Sequence, residues 1–489
     1  VRGPGSVCLV GGDGGVAADF IRRGWSVHLL VTDDPVQVPA GARVHRLDDF
    51  DPPADFRVPN LYEPSHADRS DRVRLALERL HAERRFDRIE FGVLGGLGFR
   101  AVQAKRAGLA FADVPLVARL DDTSRRRREA AERWPADIAE LERDYAEQYT
   151  FEGADDRVTA DPAVVEYVDR LGWRERAAPA SATTGRPLVT IGIAHYNLGA
   201  YLPETLRSIA GQTYPHLDVV VIDDGSTDPH SRAVLDRLEA EHPAFRFVRQ
   251  PNAGIGAARN RCLREARGDY FIPVDADNIA RPEMVTRFVD AIQHNPDLSA
   301  MTCYYIAFDD AGHQLYAGRP AGGPHTLAAI RNVYGDANAI FRTAALRAVG
   351  GYETDRGTSC EDWELFVKLA NAGRRVGVVP DHLFLYRHRG AGFSRVTNWF
   401  ANHQRVLRQF ERADHLPPGE AAVLWSALLG FQQEIERLRD RNRCLRYRLA
   451  DRLHAAVGRF PAAARGLRRL ARAVSRRSGT APAPPSGSP

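Results

Sequence analysis

The sequence predicts an α/β protein: two successive regions of mostly parallel sheet, then a helical region. Three observations predict it. An apolar strand at residues 7–10 runs into Gly11-Gly12-Asp13-Gly14-Gly15, a helical stretch to residue 23 and a second strand at 27–31, which is a βαβ opening. From residue 188 to 294, short β-branched runs alternate with helix-length stretches, the pattern of a parallel sheet covered on both faces. After about residue 399 strand-type runs stop and helical spacing takes over.

In order along the chain, the first region (1–178) carries further strands at 87–91 and 114–118, with helices at 70–84, 101–107, 138–146 and 163–171. Residues 179–187, rich in Ala, Ser, Thr and Pro, read as a linker. In the second region (188–397), strands are expected at 188–193, 218–222, 245–249 and 270–274. Helices are expected at 202–211, 231–242, 256–266, 282–294 and 361–372. The third region (398–477) is helical and basic. Ile435, Leu438, Asn442, Leu445 and Leu449 fall on a short heptad pattern. The tail, 478–489, has the Ala, Pro, Gly and Ser composition of a disordered segment.

With 489 residues, 44% hydrophobic and 27% charged, the composition is that of a globular protein. No apolar run approaches the ~18 residues that span a bilayer, and the N-terminus lacks the pattern of a signal peptide. Five scattered cysteines form neither a disulfide framework nor a CxxC metal site, so a cytoplasmic location is expected. The net charge of +4 is uneven: residues 434–477 hold 14 Arg against 4 acids, net +10, leaving about −6 elsewhere. These basic helices suit self-association through a coiled coil, peripheral contact at the inner face of a membrane, or a solvated helical pair. No aromatic interleaving accompanies the arginines, so nucleic acid is not an expected partner.

In open α/β sheets ligands bind beyond the carboxyl ends of the strands, and three motifs fall there. Ala194-His195-Tyr196-Asn197 follows the first strand of the second region, Asp223-Asp224-Gly225-Ser226-Thr227-Asp228 the second, and Asp275-Ala276-Asp277 the fourth. Asp-x-Asp suits a hard cation that also takes diphosphate oxygens. Each motif alone also fits a turn and helix cap. Between them, Asn252-Ala253-Gly254-Ile255-Gly256 lets backbone approach a ligand, with Arg259 one turn into the next helix.

These strings, with Asn338-Ala339-Ile340-Phe341-Arg342, Val349-Gly350-Gly351-Tyr352 and Cys360-Glu361-Asp362-Trp363, resemble glycosyltransferase family 2 in order and spacing over residues 188–397. The resemblance implies a GT-A nucleotide-diphospho-sugar transferase domain and inverting transfer from a nucleotide-sugar donor, UDP-linked by expectation. Carried onto this chain, Asp223 and Asp224 lie near uracil and ribose. Ala194, His195 and Tyr196 line that site, with Asn252, Arg259 and Ala276 on the donor side. Asp275 and Asp277 hold Mg²⁺ or Mn²⁺, with His388 a further candidate ligand. Asp362 is the base, with Glu361 beside it. An aspartate near ~3.9 is ionised at neutral pH and can accept a proton. The implied acceptor is a hydroxyl on a glycan, a lipid-linked sugar or a small molecule, in envelope-glycan or glycosylated-metabolite synthesis. His195 and Ala194 depart from the family's usual Thr and Pro, and the QxxRW string of processive synthases is absent, which implies single additions.

In the first region, Gly11 to Trp25, Phe86 to Phe91, Ala104 to Ala118 and Val164 to Trp173 resemble the N-terminal half of family 4 glycosyltransferases of GT-B fold, which implies an acceptor-binding, docking or degenerate module. Gly12-x-Gly14-x-x-Ala17, with Asp33 further on, also fits a dinucleotide fingerprint, so an NAD-binding module is an alternative. A non-catalytic nucleotide-sugar-binding scaffold is the other.

Overall fold

The computed structural model describes residues 5–11, 14–32, 38–61, 66–159, 161–177, 185–389 and 397–411. Most of the expected linker, the heptad segment, the Arg-rich helices beyond residue 411 and the tail lie outside the described residues. So do Gly12, Asp13 and Asp33 of the dinucleotide fingerprint.

The first sheet has six strands: β1 (Ser6–Val10), β2 (Ser26–Val31), β3 (Arg43–Arg46), β4 (Arg88–Gly92), β5 (Leu116–Leu120) and β6 (Asp156–Thr159). They lie in the order β3-β2-β1-β4-β5-β6, every pairing parallel. This is a Rossmann-like, doubly wound topology. Strands β1 and β2 are mostly apolar and buried because helices cover both faces, whereas β4 and β5 carry the buried Glu90–Arg119 ion pair. The helices are α1 (Gly14–Arg22), α2 (Ala54–Arg57), α3 (His66–Arg84), α4 (Phe99–Arg106), α5 (Ser124–Ala130), α6 (Ile138–Gly153) and α7 (Pro162–Arg170). Strands β3 and β6 were not expected: they are exposed edge strands dominated by charged and polar residues.

The second sheet has nine strands. Four follow the expected alternation: β7 (Val189–His195), β8 (Leu217–Asp223), β9 (Arg246–Arg249) and β10 (Tyr270–Asp275). The helices between them are α8 (Leu202–Ala210), α9 (Pro229–Glu241) and α10 (Ile255–Glu265). Beyond them come β11 (Ile279–Ala280), α11 (Met284–His294), β12 (Leu298–Phe308), β13 (Gln314–Gly318), β14 (Ile340–Arg342), α12 (Thr343–Ala348), α13 (Glu361–Asn371) and β15 (Arg375–Arg387). The order is β11-β15-β12-β14-β10-β7-β8-β9, with β13 paired to β12. Strands β7 to β10 pair in parallel, whereas β14 is antiparallel to both its neighbours, so the sheet is mixed.

A last helix, α14 (Trp399–Glu411), packs on α13. Buried Arg405 pairs with Glu364, Gln409 donates to the same carboxylate at 3.0 Å, and Arg405 Nη2 donates to Glu353 O at 2.7 Å. This helix therefore fixes the loop leading to α13. Among the described residues no helix is long and apolar enough to cross a membrane.

The two sheets share a buried polar seam. Tyr304 of β12 donates to Asp71 of α3 at 2.9 Å. Arg319 Nη2 donates to Asp55 O and Val58 O at 2.9 and 2.8 Å, and Gln103 donates to Ala321 O at 3.1 Å.

Candidate active site

Strand ends and one helix start converge on a cavity of about 950 Å³. Its walls include Ala194, His195, Tyr196, Asp224, Asn252, Arg259, Asp275, Ala276, Asp277, Glu361, Asp362 and His388. Of the residues expected from the sequence, Asp223 alone does not line it.

Asp223 ends β8 and is buried. The Leu198 N–H donates to His195 Nε2 at 3.2 Å, so the ring proton sits on Nδ1 and donates to Asp223 Oδ1 at 3.1 Å. Ser226 Oγ–H donates to the same oxygen at 2.5 Å. Burial works to raise the Asp223 pKa, but the His195 and Ser226 hydrogen bonds outweigh it and hold the carboxyl below its usual range. The His195 side chain, a departure from the family pattern, thus cross-links two loops. Asn197, at φ 53°, clips the same turn by accepting from the N–H groups of Thr227 and Asp228, both at 2.9 Å.

Asp224 is also buried but reaches the wall. Oδ1 accepts from Gln250 Nε2 at 2.7 Å and Ala253 N–H at 2.9 Å, and Oδ2 from Gly254 N–H at 2.8 Å. It ties the turn after β8 to the glycine loop before α10. Gly254 has φ 93°, and a Cβ on Gly256 would stand 2.2 Å from Glu353 O, so only glycine lets the loop pass.

Arg259, on α10, is buried and bridges Asp275 at 2.5 Å and Glu361. Burial opposes its charge, but Asp275 and Glu361 more than compensate, holding its pKa well above the usual arginine range. Its guanidinium joins the Asp-x-Asp turn to the start of α13 and also lines the cavity. Glu361 is likewise held in this buried pair, and Asp362 stands beside it.

Asp275 ends β10 and Asp277 lies in the turn to β11. Asp277 Oδ2 pairs with Arg389 Nε at 2.6 Å, and Arg387 Nε donates to Asp277 O at 3.1 Å. Burial and neighbouring Asp275 raise the Asp277 pKa, against the pull of Arg389. Each aspartate has one oxygen in an arginine ion pair. The donor set, two hard carboxylates with oxygens beyond the paired ones, fits a cation of the Mg²⁺ or Mn²⁺ type that takes its other ligands from phosphate and water. The His388 ring packs edge-on to Tyr316, centroids 5.5 Å apart. Among the described residues no three Asp, Glu, His or Cys side chains converge as a ligand set, so His388 is not gathered with the two aspartates.

Asp362 sits in the first turn of α13, after Cys360, whose φ of 69° marks a strained left-handed entry. Burial, then neighbouring Glu361, push its pKa up to about 7, against Arg259. The expectation of an ordinary aspartate near ~3.9 is corrected here: desolvation raises its pKa.

Asp336 was not singled out by the sequence. It lines the cavity, and burial followed by the charges of Asp275 and Asp362 pushes it up to about 8. It sits in an irregular loop where no period marks it; its only signal was standing two residues before Asn338, whose N–H donates to it at 3.0 Å.

The family model "Glycosyl transferase family 2" matches residues 190–350. The chain is 39% identical over 134 residues to chondroitin synthase of Escherichia coli, covering 27% of this chain and 19% of that protein. It is 30% identical over 130 residues to glycosyltransferase GlyG of Streptococcus pneumoniae, 26% of this chain and 42% of that one. It is also similar to a mannosyltransferase from Pyrobaculum calidifontis solved with GDP-Man and Mn²⁺: 24% identity, TM-score 0.40, 54% of this chain and 75% of that one. The chain thus spans less than half the length of these two sequence relatives. The matched segment runs from β7 past β14, and β15 lies beyond it.

Proposed function

We propose that this chain is a cation-dependent, inverting glycosyltransferase that moves a sugar from a nucleotide-diphospho-sugar, UDP-linked by the family resemblance, to a hydroxyl acceptor. The observation that carries the reading is the gathering of Asp224, Asp275, Asp277, Asp336 and Asp362 around one cavity, each at the end of its own element or in a loop beside it.

The nucleoside binds at the ends of β7 and β8, where Ala194 and Tyr196 form the wall and Asp224 fixes the glycine loop beneath it. Asp275 and Asp277 are the residues that would hold the cation, whose chemistry is Lewis-acid neutralisation of the charge that grows on the departing diphosphate. Asp362 takes the acceptor's proton as the hydroxyl attacks. Its raised pKa makes it a better base than an exposed aspartate while leaving a useful ionised fraction near neutrality. Glu361 and Arg259 are positioning residues: their ion pair ties the base-bearing helix to Asp275, so donor and base keep one spacing.

The test is Asp362→Asn with a defined donor and acceptor. The expected loss in kcat is ~10²- to 10⁴-fold with the donor KM within about threefold. Turnover close to the parent's would remove Asp362 as the base.

A further inference from the structure

The first α/β region touches the cavity itself. Residues 58–61 lie along β13 as an added strand segment. The Ala317 N–H donates to Pro59 O and the Leu61 N–H donates to Ala317 O, both at 2.7 Å, in a parallel bridge between Asn60 and Ala317. Asn60 is buried and accepts from the Arg319 N–H at 3.3 Å, while its own amide donates to Asp68 at 2.8 Å. The segment is therefore pinned through its backbone and through Asn60, not through Leu61. The Leu61 side chain is 51% exposed and lines the cavity.

A single exposed leucine is ordinary. This one shares a wall with Tyr305, Tyr316, Tyr386 and His388. The Tyr305 and Tyr386 rings lie 5.5 Å apart, and Tyr316 meets His388 at the same separation. A second contact comes from the same region: Arg331, also at the cavity, is ion-paired with Glu142 of α6. In the sheet, β12, β13 and β15 lie on one side of β10, and β7 and β8 on the other. The aromatic wall and the nucleoside end are therefore separated by the Asp275–Asp277 turn.

Resting on the glycosyl-transfer reading above, we propose that the first α/β region forms part of the acceptor subsite. Leu61, with Tyr316 and Tyr386, gives the acceptor an apolar wall, and the acceptor is a pyranoside that carries an apolar face or aglycone. Flat apolar and aromatic surfaces take the C–H face of a sugar ring or an aryl group, while the hydroxyls turn to polar partners.

The experiment uses the full chain and paired p-nitrophenyl and methyl pyranosides of glucose, galactose, mannose and N-acetylglucosamine. Binding is read by saturation-transfer NMR and titration, with UDP and GDP titrated in parallel. At least one aryl pyranoside is expected to bind roughly tenfold tighter than its methyl partner, the ratio that burying an aryl group on such a wall gives. Leu61→Asp is expected to abolish that ratio and Leu61→Phe to keep it, at an unchanged melting temperature. An aryl-to-methyl ratio near one for every sugar, or a ratio that survives Leu61→Asp, overturns the proposal. Failure of both nucleotides to bind while the aryl preference holds would count against the transferase reading and leave the wall standing.

Discussion

At the residue scale, the acidic residues around the cavity are not equivalent. Asp223 is held ionised by hydrogen bonds and sits behind the wall, whereas burial and Glu361 push Asp362 up to about 7, and burial, Asp275 and Asp362 push Asp336 up to about 8. A base must be deprotonated to act, so the transfer rate should rise with pH as Asp362 loses its proton and fall about tenfold per unit below its pKa. A bound cation adds positive charge and moves that midpoint down from about 7, towards the ordinary aspartate value. A kcat profile measured from about pH 4 to 8 should therefore show an acid limb of slope one, which Asp362→Asn abolishes. A flat profile contradicts the assignment. For stability the sign is opposite: a raised carboxyl pKa costs nothing below the unfolded value of ~3.9, and the cost builds as pH rises from there until the folded value of about 7 is passed.

At the element scale, α14 acts on the site through α13. The Arg405–Glu364 pair is 1% exposed on both sides, and Arg405 also holds the Glu353 carbonyl and Thr358 Oγ1. Removing one partner strands the other charge, so Arg405→Ala should cost ~3–5 kcal/mol in denaturant unfolding. Arg405→Met with Glu364→Leu should cost markedly less, because no unpaired charge remains. Equal losses would mean that the helix contributes packing alone. The sequence assigned this segment to a separate basic region because its charged spacing resembles the Arg-rich stretch that follows; a buried Arg–Glu pair leaves no hydrophobic period to read. The alternation from β7 to β10 was legible, since β7, β8 and β10 are short, mostly apolar runs, each closed by a polar turn at which a motif stands. Strand β12 was not, because all eleven of its residues are buried and no alternation marks it. The cavity's motifs were legible for the same reason as the strands that carry them, whereas Asp336, Arg389 and Leu61 lie outside recurring strings and were brought in only by the fold. The Arg259 bridge also needed the third dimension, since Glu361 lies 102 residues away.

At the scale of the whole molecule, the described α/β regions meet through buried hydrogen bonds. Tyr304 is fully buried and donates to Asp71, with the Arg100 guanidinium 5.1 Å from its ring centroid. Tyr304→Phe leaves that carboxylate short of a donor, so a loss of ~1–3 kcal/mol is expected, with one calorimetric transition in parent and variant alike. Two resolved transitions would mean that the regions fold as separate units. This seam also holds β13 and Arg319 in place, which is how a region remote in sequence comes to shape the cavity. The central claim is that the cavity binds a nucleotide-sugar through the Asp275–Asp277 turn. It is tested most directly by nucleoside diphosphate release from a panel of UDP-, GDP- and dTDP-sugars, with Mg²⁺, Mn²⁺ or EDTA, comparing the parent with Asp277→Asn. The expected result is release from at least one donor that requires the cation and drops at least about a hundredfold in the variant. Release that is indifferent to EDTA and to Asp277→Asn, or no release from any donor, would contradict it.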